Sequence, residues 1–451
     1  MTVGPEWKEI LLFSLPIMAG QFLQQLYNTV DTIVVGQYVG TSALAAVGTT
    51  GTLINLLVGF FVGVASGASV VISQYYGARD FKTCRALFAL QVVIGLAASL
   101  CVGLWLALWP ESVMRIFVND PRTISLGMEY LSIIWLSYLP LAVSNVCIFS
   151  LRSIGENRMS MLVSLAAMGV NALCNYALIF GRLGMPALGV RGAALATILS
   201  QAVSCAWVVR FLCSEKSTLR LRAKNLLPDM RLLLPCLALG LSPFLMQITE
   251  NLVAVSFNVT LLRFAGDTAV GAVTVLTTTM SLCMQLLHGL TQGAQPIMSF
   301  NYGAGNGQRV RETFRILFIS CLTGSMLVWA VCMLFPGAVA GMFTPDAELS
   351  SYTAWAMRIY MAASGIFGIQ IACQQSFVAL GQAKAAIFLA LLRKVILLIP
   401  LILLLPRLGI FKNAAFAVFF AEPVADTLAV CTTAAMFFTR FGKLTAGAEN
   451  A

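Results

Sequence analysis

The chain has 451 residues, of which 59% are hydrophobic and 10% are charged. A soluble globular domain carries roughly a quarter charged residues, so this composition excludes a soluble fold and indicates a polytopic membrane protein. The net charge of +10 would suggest nucleic acid in a soluble protein. Here it is typical of loops that set membrane orientation, and we expect no nucleic-acid partner.

Several classes of function lack their sequence signals. No P-loop or dinucleotide-binding fingerprint is present, so any work that the protein does would have to draw on a gradient or a partner. The twelve cysteines are scattered singly, mostly inside apolar runs, and His288 is the only histidine. We therefore expect no disulfide set, no organic cofactor and no metal beyond a bound Na⁺. We also expect no enzyme, since neither H-E-x-x-H nor a paired acidic motif for Mg²⁺-diphosphate occurs.

Twelve apolar runs are long enough to cross about 30 Å of hydrocarbon as helices. The predicted spans are 9–35, 43–72, 84–109, 124–150, 160–181, 188–213, 232–264, 268–298, 309–335, 350–379, 384–405 and 413–440. The sequence thus predicts an all-α polytopic protein with twelve transmembrane helices in lipid.

The basic residues are distributed unequally between the two sets of loops. One set, which includes both termini, carries 18 Lys and Arg, whereas the opposite set carries 7. Because Lys and Arg concentrate in cytoplasmic loops, we expect a multi-pass protein of the cell (inner) membrane with both termini in the cytoplasm.

An internal repeat relates the two halves of the chain. Matching residues recur at one offset of 226, and the longest basic joint, 214–231, lies between the copies. The pairs are Gly40 with Gly266, Ala46 with Ala272, Gly63 with Gly289, Gly67 with Gly293, Gly77 with Gly303, Pro110 with Pro336, Phe117 with Phe343, Asp120 with Asp346 and Gly155 with Gly381. We predict a six-helix lobe over 1–213, a cytoplasmic linker over 214–231 and a second lobe over 232–451, related by a pseudo-two-fold axis along the membrane normal.

A polar stripe crosses the first span. Gln21, Gln24, Asn28 and Asp31 are separated by 3, 4 and 3 residues, which places them on one helix face. A carboxylate within a bilayer costs on the order of 2.5–3.5 kcal/mol or more, so such residues usually face a bundle interior and mark an ion or substrate path. Asp31 is our leading candidate for coupling, although a residue near a helix end also meets headgroup water.

Polar side chains also gather in the second lobe. The seventh span carries Gln247, Glu250 and Asn251 on a narrow arc, and we favour a functional role for Glu250 over a structural hydrogen bond. Stripes on several helices imply a wet cavity, although amides also join helices and His288 fits a satisfied core histidine better than a proton carrier. The other candidates for the cavity lining are Gln285, His288, Gln292, Gln370 and Gln374.

Three charged residues lie deep in the last two spans. Glu422 and Asp426 are four residues apart and share a helix face, where two ionised carboxylates would repel each other. Arg393 lies 12 residues, about 18 Å, from the outer end of its span, and this depth matches that of Asp426. We predict an internal ion pair between Arg393 and Asp426 or Glu422.

The first lobe contains a second group of polar residues. Asn171 and Asn175 share a face of the fifth span, and Thr197 follows in the sixth. Together with Asp31 they offer the oxygen ligands that Na⁺ prefers; alternatively, Asp31 takes up a proton and the amides hold it.

An ordered set of short motifs covers essentially all twelve spans. It comprises Val30-Asp31-Thr32 with Val35-Gly36, Leu151-Arg152-Ser153-Ile154-Gly155, Asn171 with Asn175, Leu178-Ile179-Phe180-Gly181, Gly192-Ala193-Ala194-Leu195-Ala196-Thr197, Gln292-Gly293-Ala294-Gln295-Pro296 and Asn301-Tyr302-Gly303-Ala304. This set resembles the multidrug and toxic compound extrusion (MATE) family. The resemblance implies an antiporter that exports small organic, often cationic compounds in exchange for Na⁺ or H⁺.

The resemblance also implies roles for individual residues. Asp31 corresponds to the first-helix aspartate that protonates or helps to bind the coupling cation, and Glu250 to the second-lobe acid of members that bind Na⁺ there. Asn175 stands where some members have an aspartate. Near Gln370, where the Na⁺-binding members have a further aspartate, this chain has none.

The nearest alternative is a related flippase for lipid-linked or polyanionic substrates. Such a protein would line its cavity with several Arg and Lys for phosphates. Apart from basic residues within about two turns of a span end, only Arg358, Arg393 and Lys394 lie within the predicted spans, which favours the exporter. We expect the protein to act as a monomer.

Overall fold

The computed structural model describes residues 7–21, 41–117, 121–182, 184–188, 190–214, 230–343 and 346–449. Within these ranges the chain is helical and contains no β-strand. The helices of the first half are α1 (7–21), α2 (Thr41–Gly77), α3 (Phe81–Leu108), α4 (Pro110–Phe117), α5 (Pro121–Ile134), α6 (Tyr138–Ser153), α7 (Asn157–Phe180) and α8 (Val190–Cys213).

The second half begins with one long element that bends at Gly266, where φ is +78°. Its helices are α9 (Met230–Gly303), α10 (Gly307–Leu334), α11 (Pro336–Gly341), α12 (Ala347–Tyr360), α13 (Phe367–Ala379), α14 (Ala383–Leu391), α15 (Ile399–Leu404) and α16 (Ala414–Glu449). A π-helical segment, Leu392–Leu398, joins α14 to α15, so that these three elements form one membrane span.

Ten helices in the described ranges are long and apolar enough to cross a membrane. They match ten of the predicted spans, because α9 supplies two, Leu232–Gly266 and Thr268–Gly303. The predicted span over 350–379 corresponds to α12 and α13, which are bent by 52° at a short break. The first predicted span, 9–35, continues beyond the described part of α1.

The internal repeat is visible in local geometry. The hydroxyl of Ser73 donates to the carbonyl of Ser153 at 2.9 Å, and 226 residues later Ser299 donates to the carbonyl of Ala379 at the same distance. Asp80 caps α3, and its counterpart Asn306 caps α10, each through the backbone N–H three residues on at 3.1 Å. Two copies of one sequence pattern have therefore kept the same turns and side-chain bonds.

Close contacts divide the chain into two compact units. The first unit is Ala19–Gly240, and the second is Leu241–Ala451 together with Met1–Met18. The start of the first helix thus groups with the second half, and the start of α9 up to Gly240 groups with the first; the lobe boundaries at 213 and 232 stay predictions. In that unit the hydroxyl of Ser14 donates to the carbonyl of Leu290 at 3.3 Å.

The second unit is packed around aromatic rings. The ring of Phe314 lies 4.6 Å from that of Phe437 and 4.9 Å from that of Phe441, and Phe377 contacts Phe437 at 5.0 Å. Such large, buried rings dominate the packing of a core. They hold α10, α13 and α16 together, and α16 carries two of the acidic residues described next.

Candidate functional site

A cavity of about 480 Å³ lies within the second unit. Both halves of α9 border it, with α12, the π segment and α16. Its lining consists of Gln247, Glu250, Asn251, Val253, Ala254, Thr277, Met280, Ser281, Met284, Gln285, His288, Tyr360, Arg393, Lys394, Leu398 and Glu422. The lining thus joins amides and hydroxyls, apolar side chains and four charged residues in one space.

The polar arc predicted on the seventh span contributes to this lining, as do two of the other predicted cavity residues, Gln285 and His288. Gln247, Glu250 and Asn251 come from the first half of α9, and Gln285 and His288 come from the second. These residues recur three or four positions apart, so each half of the helix presents one polar face.

Three other predicted cavity residues, Gln292, Gln370 and Gln374, are not part of this lining. Gln370 and Gln374 are both buried, and the amide of Gln374 donates to the sulfur of Met246 at 3.5 Å. Their assignment to a substrate cavity stays a prediction.

Arg393 contacts both acidic residues of α16. Its Nε donates to Oδ1 of Asp426 at 2.5 Å, and its Nη2 donates to Oε1 of Glu422 at 2.7 Å. The guanidinium also lies 4.3 Å from the ring centre of Phe367. The predicted pairing is therefore made with both carboxylates at once, which is the forked geometry that arginine favours.

These charges are almost completely removed from solvent. The exposed fraction of the side chain is 7% for Arg393, 4% for Glu422 and 2% for Asp426. Desolvation of such a group costs several kcal/mol per ion, and only close pairing repays it. The cluster of Arg393, Glu422 and Asp426 is consequently a fixed internal element rather than a surface ion pair.

Lys394 is the functional candidate that the sequence argument did not assign. Its ammonium donates to Oε1 of Glu250, across from the first half of α9. The Lys394 side chain is 4% exposed, whereas that of Glu250 is 52% exposed and faces the cavity. One side of the Glu250 carboxylate is therefore paired with the Lys394 ammonium, and the other side is open to the cavity.

The two neighbouring basic residues Arg393 and Lys394 are both buried, and both lie in the π segment. In an α-helix, consecutive side chains diverge by about 100°. Segment Leu392–Leu398 is wound more widely, with hydrogen bonds five residues apart, a feature that is frequent at functional sites. The basic pair Arg393-Lys394 within an apolar run is the sequence feature that indicates this site. No sequence pattern indicates the π-helical winding of the segment that carries the pair.

The predicted amides of the first unit form a chain of hydrogen bonds. Nδ2 of Asn175 donates to Oδ1 of Asn171 at 2.9 Å, and Nδ2 of Asn171 donates to the hydroxyl of Ser200 at 3.0 Å. The hydroxyl of Thr197 donates to the carbonyl of Ala193 at 3.1 Å. The structure thus brings α7 and α8 together through these residues.

The predicted centre of the first-lobe site lies outside the described residues. This applies to Asp31 and to its neighbours on the polar stripe, Gln24 and Asn28. Gln21 lies in the last described turn of α1. The roles of these four residues stay predictions.

Comparison with known proteins gives the same division into two halves. The MatE family model matches residues 16–177 and again residues 243–404. The chain is 24% identical over 437 residues to the multidrug export protein MepA of Staphylococcus aureus (strain N315), covering 96% of this chain and 93% of that protein.

Solved structures show the same fold. A crystal structure of a MATE in the bent conformation has a TM-score of 0.90 at 20% identity, covering 99% of this chain and 97% of the other. The outward-facing conformation of a multidrug resistance MATE family transporter of the MOP superfamily has a TM-score of 0.89 at 20% identity, covering 98% and 97%. The chain accordingly has the fold of these transporters, twelve helices in two lobes. From the repeated family match and the shared fold it follows that this chain is a multi-pass membrane protein of the MATE family of transporters.

Proposed function

We propose that this protein exports small organic cations across the cell membrane in exchange for Na⁺ or H⁺, by alternating access of its two lobes. The observation that carries the proposal is the cavity of the second unit, in which the half-exposed carboxylate of Glu250 is surrounded by amides and methionines. A carboxylate favours a cationic ligand, and flexible Met side chains accept varied apolar shapes.

The relatives support the class of cargo. The S. aureus protein is a multidrug export protein by name, and it aligns with nearly the whole of this chain. The binding surface here is suited to many compounds because Met280 and Met284 lie beside the polar groups of α9. Permissive sites of this kind discriminate by charge and size more than by individual hydrogen bonds.

Coupling follows from competition between ions and cargo. A ligand shifts an equilibrium between two conformations only by its differential affinity for them. We assign the coupling cation or proton to Asp31, Asn171, Asn175 and Thr197 in the first lobe and to Glu250 in the second. The hydrogen-bonded chain through Asn171 and Asn175 supports this assignment, because it presents polar groups inside an apolar bundle.

A flippase for polyanionic substrates is less well supported. Its cavity would need unpaired cationic groups for phosphates. Here Arg393 is held by Glu422 and Asp426, and Lys394 is held by Glu250. The basic residues of the cavity are thus neutralised by neighbouring acids.

Transport in reconstituted vesicles tests the proposal. A fluorescent organic cation is loaded into proteoliposomes, and its movement is followed under a Na⁺ gradient or a pH gradient imposed separately. We expect one gradient to drive transport, Asp31→Asn to abolish it, and Glu250→Gln to reduce it at least tenfold. Glu348→Gln is the matched control, because Glu348 is an exposed acid at the start of α12.

The outcome against the proposal is equally definite. If folded wild-type protein ignores both gradients for every organic cation tried, drug export is wrong and lipid-linked anions become the next substrates to test. If Asp31→Asn transports normally, the first-lobe coupling site is wrong.

A further inference from the structure

The charges around the cavity of the second unit do not balance. Glu250, Glu422 and Asp426 supply three carboxylates, whereas Arg393 and Lys394 supply two cations. If all five are ionised and His288 is neutral, the cluster carries one net negative charge. A single uncompensated charge in such a place is costly, and the usual response of a protein is to neutralise it by binding a proton.

The three carboxylates differ in how well their charge is supported. Glu250 is half-exposed to the cavity, where water can solvate it, and it accepts a hydrogen bond from Lys394. Asp426 accepts from Nε of Arg393 at 2.5 Å. Glu422 uses only Oε1 toward Arg393, and among the described residues none donates a hydrogen bond to its buried Oε2. Glu422 is therefore the carboxylate whose negative charge is least compensated.

Glu422 also has access to the cavity, since it forms part of the lining. Charged groups of both signs surround it, each sign from different elements. The charged and titratable groups facing it are Arg393 and Lys394 from the π segment, Asp426 from α16, Tyr360 from α12, and Glu250 and His288 from α9.

We propose that Glu422 is a proton-binding residue of the second lobe, which holds a proton on Oε2 while the cavity is empty and releases it when an organic cation binds beside Glu250. The proposal rests on the function proposed above and names the coupling ion at this site. With Glu422 protonated, the cluster is neutral. An entering cation adds one positive charge, and departure of the proton from Glu422 restores neutrality.

Lys394 provides the link between the two acids. It pairs with Glu250 and lies within electrostatic range of Glu422. A ligand ammonium that takes over the carboxylate of Glu250 competes with the Lys394 ammonium. Once Glu422 has lost its proton, its Oε2 offers the Lys394 ammonium a second partner. Lys394 therefore moves from Glu250 to Glu422 as the organic cation enters and the proton leaves.

The geometry favours a proton over Na⁺. A hard metal cation needs several oxygen ligands at once. Oε2 of Glu422 is a single oxygen. The two cationic side chains that act on it, Arg393 and Lys394, would repel a metal ion. One oxygen is sufficient to hold a proton.

Infrared spectroscopy of the full-length protein in lipid nanodiscs tests proton binding without any transport. We expect wild type to show the carbonyl stretch of a protonated carboxylic acid at neutral pH, Glu422→Gln to lose that band, and the exposed control Glu348→Gln to keep it. A wild-type spectrum without the band, or a band unchanged in Glu422→Gln, overturns the proposal. Glutamine imitates a protonated glutamate in shape, so we expect this variant to fold.

Two further variants keep the result decisive. Lys394→Met removes one cation and should enlarge the band or move its loss to higher pH, and an unchanged band contradicts the charge argument. His288→Gln should leave the band in place. If wild type lacks the band and the pH dependence of ligand binding disappears in His288→Gln, the proton resides on His288 and the proposal is wrong.

The release step is tested with tetraphenylphosphonium, whose charge does not vary with pH. We expect its Kd to rise about tenfold for each unit by which the pH falls below the midpoint, as for exchange with one proton, and to be independent of pH in Glu422→Gln. Binding without pH dependence in wild type overturns this inference but leaves the proposed function standing. No binding of any organic cation overturns the proposed function and the exchange with it, whereas the infrared band still decides proton binding at Glu422.

Discussion

Arg393 and Lys394 are consecutive residues that pair with different carboxylates on different helices. Arg393 contacts α16 through Glu422 and Asp426, and Lys394 contacts α9 through Glu250. Removal of one partner from such a buried set is more harmful than replacement of the whole set, because it leaves an isolated charge in a poorly solvated place. Comparison of these two kinds of variant therefore separates the contribution of each ion pair to stability from its contribution to ligand binding.

We predict that Arg393→Met lowers the free energy of unfolding by about 3–5 kcal/mol at neutral pH. Asp426 would then be a buried carboxylate that has lost its hydrogen-bonded cation. Unfolding in mixed micelles with increasing denaturing detergent measures the loss. The loss should shrink in acid, where Asp426 takes up a proton, and the triple variant with Glu422→Gln and Asp426→Asn should regain most of the stability.

An exposed pair in the first half is the matched control. Arg115 Nη2 lies 2.6 Å from Glu111 Oε1 at the same i, i+4 spacing, but the two side chains are 69% and 53% exposed. We expect Arg115→Met to cost about 0–1 kcal/mol. Equal losses in Arg393→Met and Arg115→Met would mean that the buried cluster has no special structural role.

At the scale of elements, the repeated helix caps give a comparison within one molecule. Asp80 accepts hydrogen bonds from the backbone N–H of Thr83 at 3.1 Å and from its hydroxyl at 2.5 Å. These hydrogen bonds hold the pKa of Asp80 below its usual value. Asn306 makes the corresponding backbone bond at the start of α10 with a side chain that has no charge to lose.

We predict that Asp80→Ala and Asn306→Ala each weaken their helix starts by about 1 kcal/mol at neutral pH. Only the effect at Asp80 should depend on pH. A carboxylate whose pKa is lowered by folding stabilises the protein fully above its unfolded value of about 3.9, and this stability is lost as the pH falls through the folded value. Hydrogen–deuterium exchange of the first turns of α3 and α10 measures both effects, and pH-dependent protection at Asn306 would contradict the explanation.

The spans and the repeat were predictable from the sequence, because apolar length and a constant repeat offset are strong signals. Ten spans were predicted at the correct places, and the offset of 226 recurs in caps and turns. The bend between α12 and α13 was missed because both helices remain apolar through it. The pairing of Lys394 with Glu250 was missed because it joins residues 144 apart in sequence through a π segment, which has no periodicity of its own to read.

For the whole molecule, orientation in the membrane is the property that sequence predicts and that labelling can test. Met185 and Ala304 are exposed residues in turns that the charge distribution places on opposite sides. In a variant with the native cysteines replaced, we expect Met185→Cys to react with an impermeant maleimide in intact cells. Ala304→Cys should react only after the membrane is opened. The reverse pattern would invert the topology, and reaction of both residues in intact cells would disprove the predicted number of crossings between them.

The buried charge cluster has a consequence for the evolution of the two halves. At the offset of 226, the first-half counterparts of Glu250, Arg393 and Lys394 are Gln24, Ala167 and Met168, all uncharged, and the counterpart of Asp31 is Phe257. Duplication therefore preserved the helical scaffold, whereas the positions of the ionisable residues diverged. A protein assembled from two copies of the first half would retain the caps and turns yet lack the second ionisable centre, so neither half can replace the other.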